Sequence, residues 1–207
     1  MLGKVSPDKS LQPLGVRTEQ PRDTMPRVHV IEGPVGAGKS TFAASLAPRV
    51  KGVHIALDEW FARLFSPDRP GGNFVPWYLE RKDRLLELIW DHSRRILGSG
   101  SDVILELGLI QRQQRLEFCH RTRADGFDLV LYILDEPRDI RRQRVRLRNS
   151  EKGSTFSMVV PDHVFEVASD MWEAPDDIEQ SDFAIEYVAA TIAELTPNKS
   201  LERTREG

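Results

Sequence analysis

An α/β fold built on a parallel sheet is predicted by three features of the 207-residue sequence. An apolar, β-favouring run, Val28-His29-Val30-Ile31, leads into the glycine-rich Gly33-Pro34-Val35-Gly36-Ala37-Gly38-Lys39-Ser40, and Thr41 to Leu46 continues with helical character. Strand-like runs then alternate with helix-like segments down the chain, as βαβ units with right-handed crossovers require. One of those runs, Asp102 to Leu107, is almost continuously apolar, as a strand covered on both faces must be.

Residues 1 to 26 hold four prolines (Pro7, Pro13, Pro21, Pro26) among polar residues and read as a disordered, mobile leader. The helix after the glycine loop is expected to end near Pro48, and Lys51-Gly52 to turn the chain into a second strand, Val53 to Leu57. Asp58-Glu59-Trp60 follows at once, at the carboxyl end of a strand where open α/β sheets bind ligands. Pro67, Pro70, Gly71, Gly72 and Asn73 mark a loop from Ser66 to Pro76. Trp77 to Leu97 reads as a helix whose inward positions are Leu85, Leu88, Ile89, His92 and Ile96, with Gly98 as its cap. The third strand, Asp102 to Leu107, carries Glu106. A helix from Gln111 to Ala124 is closed by Asp125-Gly126, and the fourth strand spans Leu129 to Leu134. A basic helix then opens a lid at about residues 137 to 160, with Ser150 to Pro161 mobile. Asp162 to Trp172 reads as a helix, Asp182 to Val188 as the last strand, Ala189 to Leu195 as a short helix and 196 to 207 as a frayed tail. One folded domain, 27 to 195, is expected.

A hydrophobic fraction of 40% suits one sizeable core. The net charge of −3 gives no global attraction to nucleic acid or acidic lipid, so an anionic ligand must be held by local charge. Cys119 is the single cysteine, which excludes an internal disulfide framework and a cysteine-rich zinc site. No apolar run approaches bilayer length and no apolar h-region of a signal peptide is seen, so a cytoplasmic protein without a membrane partner is expected.

The spacing G-x-x-x-x-G-K-[ST] between a strand and a helix is that of a phosphate-binding P-loop, comprising Gly33, Pro34, Val35, Gly36, Ala37, Gly38, Lys39, Ser40 and Thr41. Glycines allow successive N–H groups to curl around a phosphate, and the helix N-terminus adds partial positive charge. Lys39 serves as a mobile cation for the β- and γ-phosphates, and the Ser40 hydroxyl is a candidate Mg²⁺ ligand. Six arginines lie between Arg138 and Arg148. On a helix Arg141, Arg144 and Arg148 share a face, either solvated or closing over a triphosphate.

With these residues placed, the chain resembles the P-loop kinases grouped with chloramphenicol phosphotransferase, zeta toxins and the kinase domain of phage polynucleotide kinase. The resemblance covers roughly residues 27 to 190 and rests on GPVGAGKST, LDEW after the second strand, DVILELG followed by QRQQR, and RRQRVRLRN after the fourth. It implies a three-layer α/β/α architecture with a five-stranded parallel sheet of shikimate-kinase-like order 2-3-1-4-5. It also implies ATP and Mg²⁺ as donor and cofactor, with transfer to a hydroxyl. The catalytic role of base falls on Asp58, for which capping a helix starting at Trp60 is a second, compatible reading. Arg144 and Arg148 are the candidate lid residues. The polynucleotide kinase carries an arginine three residues after the aspartate. Here that position is Phe61, and Arg63 is the nearest substitute.

Glu106 is placed either to hold Mg²⁺ through water, to bind the acceptor, or to pair with a nearby arginine. Glu59, Trp60, Arg63, Arg112 and Arg115 are candidate acceptor contacts, with Arg112 and Arg115 alternatively pairing with Asp58 or Glu59. Trp60, Phe61, Trp77 and Tyr78 wall a pocket or belong to the core, and the histidines show no metal-ligand spacing. ATP is expected over GTP by the same resemblance, since Asn198-Lys199 lacks the aspartate of a guanine-reading segment. The leading expectation is a kinase, monomeric or homodimeric, acting on a small hydroxylated molecule such as an antibiotic, sugar derivative or nucleoside. The alternatives are a 5′-hydroxyl polynucleotide kinase and a nucleotide-binding switch without a small acceptor.

Overall fold

The computed structural model describes residues 25–72, 74–151 and 159–189. The expected leader, except for its last two residues, the central part of the lid (152–158), the short helix after Ala189 and the tail lie outside them. Five strands form one sheet: β1 (Arg27–Glu32), β2 (Val53–Ala56), β3 (Val103–Glu106), β4 (Asp128–Ile133) and β5 (Ile185–Tyr187). Their order is β2-β3-β1-β4-β5 and every pairing is parallel. The seven α-helices among the described residues are α1 (Lys39–Val50), α2 (Leu57–Leu64), α3 (Phe74–Gly98), α4 (Arg112–Ala124), α5 (Arg138–Glu151), α6 (Asp162–Asp170) and α7 (Asp177–Asp182).

Strand side chains alternate between faces, and both faces are covered. On one side Val28, Val30, Val103, Leu105, Leu129, Leu131 and Ile133 join Phe61, Leu85, Ile89 and Trp90 from α2 and α3. On the other, Ile31, Ile104, Val130 and Tyr132 pack against Phe42, Ala43 and Leu46 of α1. The apolar continuity of the central strands is therefore the mark of an α/β/α sandwich. None of the helices among the described residues is long and apolar enough to cross a membrane.

Several boundaries differ from expectation for identifiable reasons. Pro48 lies inside α1, which runs two residues further and ends on Lys51 in the left-handed conformation (φ 52°). Gly52 N–H bonds back to the Ala47 carbonyl, closing the last turn. A lysine at that position carries strain a glycine would not, so Lys51→Gly is expected to raise unfolding stability by about 0.5–1 kcal/mol, checked by urea denaturation. α3 begins before Pro76, because a proline in the first turn lacks only an N–H that has no partner there anyway. Its buried face is Lys82, Leu85, Ile89, Trp90, Ser93 and Leu97, while Leu88 is 54% exposed. Gly98 remains helical, and Gly100 (φ 88°) makes the turn. The last strand is short because Asp177–Asp182 forms α7, with Asp176 and Glu179 in a reciprocal capping box.

Candidate functional site

The P-loop sits at the carboxyl edge of the sheet and needs its glycines for steric as well as conformational reasons. A Cβ on Gly33 would lie 2.1 Å from the Leu134 carbonyl oxygen, and one on Gly36 would lie 2.7 Å from that of Arg141. At Gly38 (φ 92°) a Cβ would meet nothing within 4 Å, so this side of the loop is clear. Lys39, the first residue of α1, folds its ammonium back over the loop and donates to the carbonyls of Gly33 (2.7 Å) and Pro34 (3.1 Å). Ser40 Oγ donates to Glu106 Oε2 at 3.0 Å, and Glu106 Oε1 lies 2.6 Å from His54 Nε2. Glu106 ends β3 in register with Ala56 of β2, which brings its carboxylate beneath the start of α1. A hydroxyl beside a carboxylate is a hard-oxygen set of the kind Mg²⁺ accepts when phosphates and water complete its shell.

Glu32, the last residue of β1, is completely buried. Its Oε2 accepts from the Leu109 N–H at 3.0 Å, while Oε1 has no partner among the described residues. Burial pushes the carboxyl up from 4.5 to about 7, against the opposing pull of Lys39, the Leu109 amide, Lys82 and Arg115. A raised carboxyl binds a proton in the folded state that the unfolded chain has already lost. Stability should therefore fall as pH rises from 4.5 to 7 and level off above, by roughly 3 kcal/mol at most at about 1.4 kcal/mol per pH unit. Denaturation of wild type and Glu32→Gln at pH 5 and pH 8 checks this. The wild type should lose more than the variant, and equal losses would refute the assignment.

Asp58 is the second residue of α2 and is exposed. The N-cap is Ala56, with no side-chain cap, so the capping reading for Asp58 is corrected. Glu59 and Arg63 pair with one another at 2.8 Å on the surface, and Trp60 packs 6.0 Å from the His92 ring. Across from Asp58 runs α5, whose arginines divide by role. Arg138, Arg142 and Arg146 are tied to α6 through Glu166, Asp170 and Asp162. Arg141 is buried and donates to the P-loop carbonyl of Val35 (3.0 Å), to Ser169 Oγ (3.0 Å) and to the Glu136 carbonyl (2.9 Å). It fastens α5 to the P-loop rather than reaching for a ligand. Arg144 is partly exposed one turn along. Arg148 keeps its Nε buried with no hydrogen-bond partner among the described residues. Burial lowers the pKa of its guanidinium while the Asp58 carboxylate raises it, so the two charges lie within electrostatic reach.

Two sequence expectations are corrected by packing. Arg115 is fully buried and holds Glu179 through two bonds (2.8 and 2.9 Å), with further bonds of 3.3 Å to the carbonyls of Leu109 and Ile110. It joins α4 to α7 and is out of reach of an acceptor. Arg112 pairs with Asp176, and its N–H donates to Glu173 at 2.7 Å. Neither arginine pairs with Asp58 or Glu59.

Beside Asp58, one turn along α2, Phe61 is buried against Phe65, Trp77 and Tyr78. With Ser66, Arg69, Phe74 and Val159 it bounds a cavity of about 300 Å³. Sequence reasoning left Phe61, Trp77 and Tyr78 open between pocket and core, and it missed Phe74, Glu32, His54 and the clamp of Arg141. The carboxylate at the end of β1 was visible in the sequence. The strand register that carries His54 to Glu106 was not.

A family model described as "AAA domain" matches residues 28–175. No curated protein matches the chain. Among solved structures, a candidate kinase from Chloroflexus aurantiacus superposes with a TM-score of 0.61 at 16% identity, covering 84% of this chain and 93% of its own. Kti12 of Chaetomium thermophilum in complex with ADP-AlF3 gives 0.60 at 15%, covering 78% and 88%. A chain of the Pnkp1/Rnl/Hen1 RNA repair complex gives 0.55 at 19%, covering 75% of this chain and 45% of that one. At these identities the likeness is one of fold.

Proposed function

The chain belongs to the AAA-domain family matched over residues 28–175, and on that premise we propose that it is an ATP-dependent kinase that transfers the γ-phosphoryl group to a hydroxyl of a small molecule. The observation that carries this reading is the span of α5. Arg141 grips the P-loop at Val35, and Arg148, seven residues and on the order of 10 Å further along the helix, lies within electrostatic reach of Asp58. Helix α5 thus joins a phosphate-binding loop to a guanidinium whose buried Nε has no hydrogen-bond partner among the described residues and which feels the Asp58 carboxylate.

Phosphoryl transfer asks the protein for positioning and charge rather than covalent chemistry. The loop amides and Lys39 hold the β- and γ-phosphates, Lys39 exchanging its two carbonyl partners for phosphate oxygens. Ser40 and Glu106 would hold Mg²⁺, which would supply positive charge against that of the phosphates. Asp58 accepts the proton of the acceptor hydroxyl as its oxygen bonds to the γ-phosphorus. The bond to the β–γ bridging oxygen breaks, and ADP carries away that electron pair. Arg148, with Arg144 one turn before it, offsets charge on the transferring group. Glu59, Trp60 and Arg63, on the same helix as Asp58, are the proposed acceptor contacts beside it.

The test is ATP consumption with Mg²⁺ across hydroxylated acceptors: aryl alcohols, aminoglycosides, nucleosides, nucleotide sugars and 5′-hydroxyl oligonucleotides. Turnover stimulated by a small acceptor, with a phosphorylated product, supports the proposal. Turnover only with oligonucleotides moves the acceptor to nucleic acid, and turnover that ignores every acceptor refutes the kinase reading.

A further inference from the structure

The cavity next to Asp58 has a chemistry narrower than its surroundings require. Phe61, Phe74, Trp77 and Tyr78 contribute four rings to its wall, and Val159 adds an aliphatic contact. The rings lie at mutual distances of 4.8 to 5.8 Å, within the range of favourable aromatic contacts. Arg69 and Ser66 supply the polar groups of the wall, the Arg69 guanidinium sitting 4.0 Å over the Phe74 ring. The apolar rings are not simply core. Phe61 is buried, whereas Phe74, Trp77 and Tyr78 are partly exposed along the first turns of α3.

The cavity is also built on the elements that carry the reacting groups. Phe61 follows Asp58 by three residues, so the two side chains share a face of α2. Burial pushes the Tyr78 phenol up and the Asp58 charge adds to it, so the two side chains lie within electrostatic reach. On the opposite side, Val159 adjoins Val160, whose N–H and carbonyl are both held by the Asn149 side chain (3.1 and 2.8 Å). Asn149 is the residue after Arg148, so the wall carrying Val159 is fixed to the helix that carries the Arg148 guanidinium. One wall is therefore attached to the carboxylate and the other to the guanidinium donor.

We infer that this cavity is the acceptor site, and that it takes a small alcohol carrying one aromatic ring, the ring seated among Phe61, Phe74, Trp77 and Tyr78 and the hydroxyl arm extended to Asp58. Size and polarity both argue for this class. A space of about 300 Å³ suits one ring with a short arm, since a dry cavity of roughly 150 Å³ is enough for benzene. A free sugar would bring several hydroxyls against rings that cannot pair with them, leaving buried polar groups unsatisfied. An aromatic ring leaves none and gains face and edge contacts. The inference rests on the kinase reading for the fate of the hydroxyl but not for the binding of the ring.

The experiment uses the full chain with bound ADP. Its tryptophan fluorescence is titrated with 2-phenylethanol, its saturated analogue 2-cyclohexylethanol, glucose and a 5′-hydroxyl oligonucleotide, and ATP-dependent phosphorylation of each is followed in parallel. Wild type is compared with Trp77→Ala and Phe74→Ala, with binding of a fluorescent ATP analogue as the check that each variant is folded. The aryl alcohol should bind at least ten-fold more tightly than glucose and several-fold more tightly than the cyclohexyl compound, and each substitution should weaken it ten-fold or more while nucleotide affinity stays within two-fold. Aryl binding that both variants retain, or equal affinity for glucose, overturns the assignment. So does phosphorylation confined to the sugar or the oligonucleotide, which would leave the kinase reading standing. Ring-dependent binding without transfer to any acceptor upholds the cavity and refutes the kinase reading instead.

Discussion

Replacing Asp58 by Asn should lower acceptor-stimulated ATP turnover by about 10²- to 10⁴-fold in kcat, the scale expected when a positioned general base is lost. The side chain is exposed, caps no helix and belongs to α2 rather than to the P-loop. Nucleotide affinity should therefore stay within two-fold and folding stability within about 0.5 kcal/mol of wild type. Asparagine keeps the shape and loses the ability to take a proton, which separates chemistry from acceptor placement. Single-turnover measurement with saturating ATP, together with KM for the acceptor, reads both. A kcat within ten-fold of wild type would remove Asp58 from the role of base and return the acceptor side of the site to question.

Arg115→Ala should destabilise the fold by about 3–5 kcal/mol without touching the nucleotide site, because it strands the Glu179 carboxylate in the interior. Both side chains are at most 1% exposed, so water cannot reach the orphaned charge. The loss would propagate to β5, since Glu179 anchors α7 and the Phe183 N–H bonds to the Glu179 carbonyl just before that strand. The paired replacement Arg115→Met with Glu179→Leu should recover most of the stability, because it removes both charges and keeps the volume. It would still forfeit the contribution of Glu179 to the capping box with Asp176, of order 1 kcal/mol. Urea denaturation of the single and double variants checks the cycle, and a double variant no more stable than the single would show that the bridge is not the source of the effect.

The fold was legible in the sequence because its signals are local and repeated. Apolar runs such as Val28 to Ile31 and Asp102 to Leu107 must be strands buried on both faces, and the glycines of the P-loop are forced by backbone angles and by the approach of the Leu134 and Arg141 carbonyls. The boundary errors at Pro48 and Pro76 arose where a local rule has an exception that neighbouring turns decide.

The phosphate end of the site was read from residue type and spacing alone: Lys39 and Ser40 have to follow Gly38 for a helix N-terminus to present them. The arginines were visible as a group, but not their division. Helical periodicity puts Arg141 and Arg148 on one face, and only the packing of α5 against the P-loop and α6 turned Arg141 into a buried clamp and left an Arg148 donor unpartnered. Arg115 looked like an acceptor contact for the same reason. Its partner Glu179 lies sixty-four residues away on a helix the sequence did not announce. Sequence by itself thus determined the backbone architecture and the chemistry of the nucleotide loop, both encoded within about ten residues at a time. The tertiary structure decided which charges are spent on one another and which face the opening, because the energy of a charge depends on burial and on partners that chain distance does not record.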